Sequence, residues 1–517
     1  MFKRITEGTA LQIALFATGC AGIVAEFVLS TLATYLIGNA IFQWTMVMSL
    51  MLFAMGLGSR LSRFILTDLF DAFICVEYLL SLSCAVSAIL AYGVSAYVQP
   101  ISLVIYTESI LIGLLIGLEI PLVARLNDAY DALRVNISNV MEKDYYGALL
   151  GGLIFAFVAL PFFGLTYTPI LLGSVNFFVA AFLFVRFRHL FRWKKRLAVM
   201  GGCVAAILIM LGVGAEPILK YGEQLQYKDK VIFAQQTAYQ KIVMTQWKQN
   251  YWLYINGQEQ FSSVDEERYH EPLVHPALSL SPGRESVLIL GGGDGLAVRE
   301  VLKYPDVGAI TLVDLDPEMP ALARSHPVLR ALNCRALSDA RVHVVTGDAR
   351  AFIEASDRLY NVVIADLPDP DTVDLMHVYS IGFYTEIRKH LVPDGVLVTQ
   401  ATSPYFSKRA YLCIYKTMAA AGFQVAGYRN HIPTMGEWGW VLGVPETGGR
   451  RLQLRARLLD LTFDGIPTRW LSRDAMISML HFGKGLMEPA VLADTEVNRE
   501  QDPILYRYYR EGDWGVY

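Results

Sequence analysis

Within the first 214 residues, apolar runs of about membrane-crossing length follow one another with few charges inside them. This pattern constrains the chain more than any other. A run of ~20 apolar residues matches the hydrocarbon core of a bilayer, and in lipid only helices or closed barrels satisfy the backbone. The runs lie near 11–38, 43–59, 72–94, 101–124, 145–164, 168–186 and 197–214, which predicts about seven spans in a multi-pass helical domain, 1–214. Overall composition agrees: 54% of residues are hydrophobic and 18% charged. Met1-Phe2-Lys3-Arg4 ahead of the first run looks like a signal sequence. The run is long and others follow, however, so a first membrane helix is expected rather than a cleaved peptide.

Gly56-Leu57-Gly58 and the stretch from Gly147 to Gly152 suit close helix packing in lipid. Glu26, Glu77, Glu108 and Glu119 lie inside or at the ends of the runs, where carboxyls are costly. They read either as protonated groups bonding between helices or as a cation path. Lys3, Arg4, Arg60, Arg63, Arg125, Arg134, Lys143 and the basic residues from Arg186 to Arg196 mark one side of the membrane. By the positive-inside rule this puts the N-terminus in the cytoplasm. An odd number of spans then puts the C-terminal half outside.

From about residue 215 charge returns. The segment 215–282 reads as a small antiparallel β domain, with a hairpin turn at Asn256-Gly257. Residues 283–445 alternate strands and helices. Strands at Val287, Ile310, Val342, Asn361 and Val396 each run into a polar residue: Gly291 to Asp294, Asp314, Asp348, Asp366 and Gln400. This predicts α/β architecture with a doubly wound, Rossmann-like sheet whose ligands sit at the carboxyl ends of the strands. Residues 446–517, with Arg450-Arg451 and a helix near 473–481, form an extension without assigned chemistry.

The net charge of −4 offers no basic face for nucleic acid. The six cysteines form no CxxC pair, so neither a zinc site nor a disulfide framework is expected. His270 and His275 are five apart with no third clustered ligand, which argues against a metal.

The glycines after the first strand, with Asp314 about 20 residues on, suit a nucleoside whose ribose the carboxylate grips. Asp294 sits where a pyrophosphate would lie, and like charges repel there. That disfavours a dinucleotide and ordinary S-adenosylmethionine but attracts a donor carrying only an amine. Asp294 also has a plain reading as a helix cap. Asp366, Asp369, Asp371 and Asp374 crowd one strand end, which suits a polycationic substrate; a solvated turn is the lesser reading, since Asp and Pro favour turns.

These residues together resemble the spermidine/spermine synthase family. The resemblance runs from about Tyr239 to Gly443. It takes in Tyr239-Gln240, Asn256 to Gln260, Asp265-Glu266, Tyr269 to Glu271, Gly291 to Gly295, Arg299-Glu300, Asp314 to Asp316, Gly347 to Ala349, Asp366 to Pro370, Gln400, and Ile432 to Thr434. The membrane half is similar to the multi-pass segment of some bacterial members, through Ala54 to Ser59 and Asp144 to Ala148.

The resemblance implies decarboxylated S-adenosylmethionine as co-substrate, with no prosthetic group or metal. Gln240, Gln260, Tyr269, His270, Gly291, Gly293, Asp294, Asp314, Asp348, Ala349 and Asp366 would surround it, Asp314 at the ribose and Asp348 at the adenine. Asp366 would be the general base, helped by Tyr269, and Asp369 and Gln400 would hold the acceptor amine. Putrescine is the default acceptor, a homodimer the expected assembly and the inner membrane the expected location. Cofactor supply favours the cytoplasmic side for the catalytic half, against the charge count.

The chain departs from the family at Leu296 (a glycine there), Asn256 (usually Asp), Leu367-Pro368 (usually Ser and Ser or Thr) and Met435 (a tyrosine). Glu437 is a candidate replacement contact to a far ammonium. Two other functions compete: an amine methyltransferase using S-adenosylmethionine, and a membrane polyamine transporter or sensor whose enzyme-like domain only binds ligand.

Overall fold

The computed structural model describes residues 7–37, 40–95, 101–127, 133–446 and 453–514. Lys3, Arg4, Arg450 and Arg451 lie outside them. The chain divides into two compact units, Met1–Lys230 and Val231–Tyr517.

The first unit is helical: α1 (Glu7–Ile37), α2 (Ala40–Ser62), α3 (Leu69–Ser95), α4 (Ser102–Asn127), α5 (Leu133–Ile154), a π-helical stretch (Phe155–Phe163), α6 (Gly164–Arg186) and α7 (Lys194–Gln226). Among the described residues, six helical segments are long and apolar enough to cross a membrane, where the runs predicted about seven. The difference lies in Ser138–Arg186, 49 residues that unite the fifth and sixth runs. At 1.5 Å per residue they would extend about 74 Å, over twice a hydrocarbon core. Gly164, at φ 60° and ψ −170°, breaks the helix, and the Thr168 hydroxyl donates to the Ala159 carbonyl across the break.

Glycine lets the rods touch backbone to backbone. A Cβ on Gly58 would stand 2.1 Å from the Leu114 carbonyl, and one on Gly147 would stand 2.1 Å from that of Phe16, whereas Gly56 faces open space. Glu26, Glu77, Glu108 and Glu119 are all buried.

The second unit opens with an antiparallel sheet of β1 (Lys230–Gln236), β2 (Lys241–Trp247), β3 (Asn250–Ile255) and β4 (Gln258–Ser262). Asn256 and Gly257, at φ 51° and 82°, form the expected hairpin turn. Then come α8 (Glu267–Leu280), β5 (Ser286–Gly291), α9 (Leu296–Val301), β6 (Ala309–Asp314), α10 (Glu318–Ser325), α11 (Pro327–Leu332), β7 (Val342–Thr346), α12 (Ala349–Ala355), β8 (Tyr360–Asp366), α13 (Ile381–Lys389), β9 (Leu391–Gln400) and α14 (Lys408–Ala420). A final antiparallel pair, β10 (Phe423–Ile432) and β11 (Gly436–Pro445), completes a seven-stranded sheet in the order β10-β11-β9-β8-β5-β6-β7.

The five expected strands are β5 to β9, all parallel. β5 alternates between two cores, Val287 and Ile289 facing one and Leu288 and Leu290 the other, as a sheet buried on both faces requires. Residues after 453 add α15 (Leu454–Leu459), α16 (Arg473–Met479), α17 (Pro489–Asp494) and α18 (Ile504–Arg510). Leu458 and Met476 join one core, and Leu505 and Tyr508 the other. The chain order reverses beside β5, whose neighbours are β6 and β8. The cleft of such a fold opens at that point.

Candidate active site

At the switch point Gly291 pairs with Asp366. Its φ of 80° favours glycine, and a Cβ there would stand 2.0 Å from the Asp366 carbonyl. A Cβ on Gly293 would stand 2.3 Å from the Asp314 carboxylate. The glycine turn thus draws together the ends of β5, β6 and β8, and with them three carboxylates.

Asp294 accepts the Leu296 amide at 2.8 Å, so it does serve the start of α9. It is half-buried nonetheless, and loss of solvent raises its carboxyl even as His270 pulls it down. Asp314 accepts the Asp316 amide, and burial lifts it to about 6. His270 donates toward Glu266. Burial alone would lower its imidazole, but Glu266 outweighs this and holds it at about 9. Glu266 is in turn clamped by both terminal nitrogens of Arg299, at 2.9 and 2.8 Å.

Asp366 ends β8 and accepts the Tyr269 hydroxyl at 2.7 Å. Burial raises it to about 6, and burial plus the Asp366 charge holds the Tyr269 phenol well above its ordinary range. Three residues on, Asp369 accepts Gln400 at 3.1 Å, Thr402 at 3.1 Å and Tyr509 at 3.0 Å. Burial also lifts it to about 6. Gln400 donates as well to the Leu367 carbonyl and the Tyr379 hydroxyl.

The small sheet is tied to the loops beyond these strand ends. Thr237 bonds Asp316, and Gln258 bonds Asp371. This ties the β1–β4 segment carrying Gln240 and Gln260 to the loops after β6 and β8. Leu296, the departure from the glycine pattern, packs beneath that sheet with Met244 and Phe261.

Two of the expected ligand-binding side chains are bonded within the protein. Asp348 is the N-cap of α12, accepting the Ala351 amide at 2.8 Å, with Ala349 buried behind it. Glu437 lies away from Tyr269. Strand alternation sends its neighbour Trp438 toward Tyr269, ring centroids 6.4 Å apart. Glu437 instead takes both of its bonds from Arg429, at 2.6 and 2.7 Å.

Sequence patterns missed Tyr509, Tyr379, Thr402 and Trp438. Tyr509 carried no signal, being 140 residues from Asp369 in a tail without a motif. The Trp438-x-Trp440 alternation was the available signal for an aromatic wall.

Among the described residues, the one group with metal-like convergence is Glu271, His275 and Glu300. Glu271 already accepts three amides from Arg469 to Leu471, and Glu300 takes His275 and Lys303. These bonds make the cluster a structural network.

Fold and site together define an α/β enzyme with acidic side chains converging at the carboxyl ends of its parallel strands. Residues 266–451 match the spermine/spermidine synthase domain. Polyamine aminopropyltransferase 2 of Aquifex aeolicus is 42% identical, over 98% of this chain and 99% of its own. Polyamine aminopropyltransferase 1 of Ralstonia nicotianae is 38% identical, over 99% of this chain and 96% of its own. A solved spermidine synthase in complex with the transition state analogue AdoDATO covers 49% of this chain and 86% of its own, at 22% identity and a TM-score of 0.44. The chain belongs to the polyamine aminopropyltransferase family.

Proposed function

We propose that the protein transfers an aminopropyl group from decarboxylated S-adenosylmethionine to a polyamine. Putrescine is the default acceptor, giving spermidine, and methylthioadenosine is released. The observation that carries this is the Tyr269–Asp366 pair at 2.7 Å, with Asp369 and Gln400 beside it and Asp294 and Asp314 at the neighbouring strand ends.

Asp314 holds the ribose, and Asp294 attracts the donor's ammonium. Asp369, fixed by Gln400, Thr402 and Tyr509, anchors the acceptor's far ammonium. Asp366, oriented by Tyr269, removes a proton from the near ammonium. The freed nitrogen lone pair forms a bond to the aminopropyl carbon beside the sulfonium. The carbon–sulfur bond breaks with its electron pair passing to sulfur. Holding donor and acceptor in line supplies much of the rate. Asp348 caps its helix in the free protein and holds the adenine when the donor is bound. The protein resides in the inner membrane, its helices in the bilayer, with the catalytic unit on the cytoplasmic side where the donor is made.

A donor-preference assay on the full-length protein tests the reading. Methylthioadenosine should form from decarboxylated S-adenosylmethionine with an amine present. Methylated amine from ordinary S-adenosylmethionine, without that product, would transfer the assignment to a methyltransferase.

A further inference from the structure

The membrane half contains buried polar atoms that the transfer reaction does not use. On α3, Glu77 is 0% exposed and neither carboxylate oxygen has a partner. On α4, both oxygens of Glu108 and one of Glu119 are likewise buried and unpartnered. On α6, Asn176 is 0% exposed, and neither its amide nitrogen nor its oxygen has a partner. Buried polar groups are almost always bonded, and each unpaired one in lipid is costly.

These groups lie along one path. The Tyr78 and Phe177 rings pack at 6.0 Å, and Ser81 donates to the Gly173 carbonyl. Numbers therefore rise along α3 as they fall along α6, so the two helices are antiparallel. Glu77 and Asn176, each next to one of the packed rings, stand at one height. The consecutive helices α3 and α4 pack together; Glu77 lies 18 residues before the end of α3 and Glu119 lies 17 after the start of α4, which sets them at one level of the pair. Glu108 and Glu119 are eleven residues apart, three helical turns, which places them on one face about 16 Å apart. Ile120, the residue after Glu119, shares a cavity with Asp144 of α5. That cavity, of about 180 Å³, is also lined by Ala124, Val140, Met141 and Tyr145.

A metal ion draws oxygen ligands to within 2–2.6 Å of a single point, and none of these glutamates joins a group converging so closely. Carboxyls strung along helices suit a string of charges. We propose that the membrane half binds a linear polyammonium ion along Asp144, Glu119, Glu77 and Glu108, with Asn176 completing its hydrogen bonds. This site is separate from the transfer site, and its placement uses only the helical unit.

The test is equilibrium binding of radiolabelled spermidine to the full-length protein in nanodiscs, without donor, at neutral pH. Two sites per chain are expected. Glu77→Gln/Glu119→Gln should leave one, with the remaining affinity unchanged, and Asn176→Ala should weaken the lost class several-fold while the melting temperature holds. Asp369→Asn should weaken the other class. One site in the wild type, or two sites indifferent to both membrane variants, overturns the proposal and leaves the glutamates as protonated hydrogen-bonding groups. Failure of transfer appears separately, as wild-type protein that binds spermidine but forms no methylthioadenosine.

Discussion

At the scale of single residues the site is an arrangement of partly or fully buried carboxyls at neighbouring strand ends. Replacing Asp366 with Asn keeps the shape and removes the proton acceptor, so kcat should fall by ~10²–10⁴, read as methylthioadenosine formed per second. Asp314, Asp366 and Asp369 are all lifted by burial to about 6. The base acts when deprotonated, so kcat/KM should decline as pH falls through about 6. Several carboxylates must ionise for donor and acceptor to bind and react, so the limb should steepen below about pH 6, while their mutual repulsion spreads the steps. Folded values above the unfolded 3.8 mean burial favours the protonated forms. Their stabilisation is complete below 3.8 and is lost as pH rises through about 6. Bound cations offset that loss, so the donor should raise the melting temperature more at pH 7.5 than at pH 5. An equal shift at both values would contradict the assignment.

The carboxyls were legible in the sequence because strand ends of this fold face the cleft. Glu437 pairs with Arg429, and strand alternation sets it opposite its neighbour Trp438. Glu437→Gln should therefore leave acceptor KM within about twofold by the rank of a partly exposed pair, whereas Tyr509→Phe, which removes a bond to Asp369, should raise it. An acceptor titration of both variants separates these outcomes.

At the scale of elements, the glycine turn brings three strand ends together. Gly291→Ala places a methyl against the Asp366 carbonyl at a φ of 80°. Backbone strain alone costs about 1–3 kcal/mol, so a fall of several degrees in melting temperature, with donor binding lost, is expected by thermal denaturation. β5 to β9 were readable as short apolar runs ending in polar residues. The β10–β11 hairpin was not: Arg429, Asn430 and His431 interrupt any apolar alternation in β10. The two apolar runs on either side of Gly164 were legible as separate because Gly164, Thr166 and Thr168 interrupt the apolar stretch where the helix breaks.

At the scale of the whole molecule, an apolar helical unit and an α/β unit share one chain. Residues after 453, opaque in sequence, pack into both cores of the second unit and deliver Tyr509 to the site. Cys334 is exposed in the second unit, and a membrane-impermeant maleimide should label it only after cell lysis if that unit faces the cytoplasm. Labelling in intact spheroplasts would place it outside. The central claim is aminopropyl transfer by Asp366, and mass spectrometry of a full-length reaction with decarboxylated S-adenosylmethionine and putrescine tests it most directly. The predicted result is spermidine and methylthioadenosine in equal amounts, both lost in Asp366→Asn while donor binding persists. Donor binding by the wild type without either product, or equal product from Asp366→Asn, would contradict it.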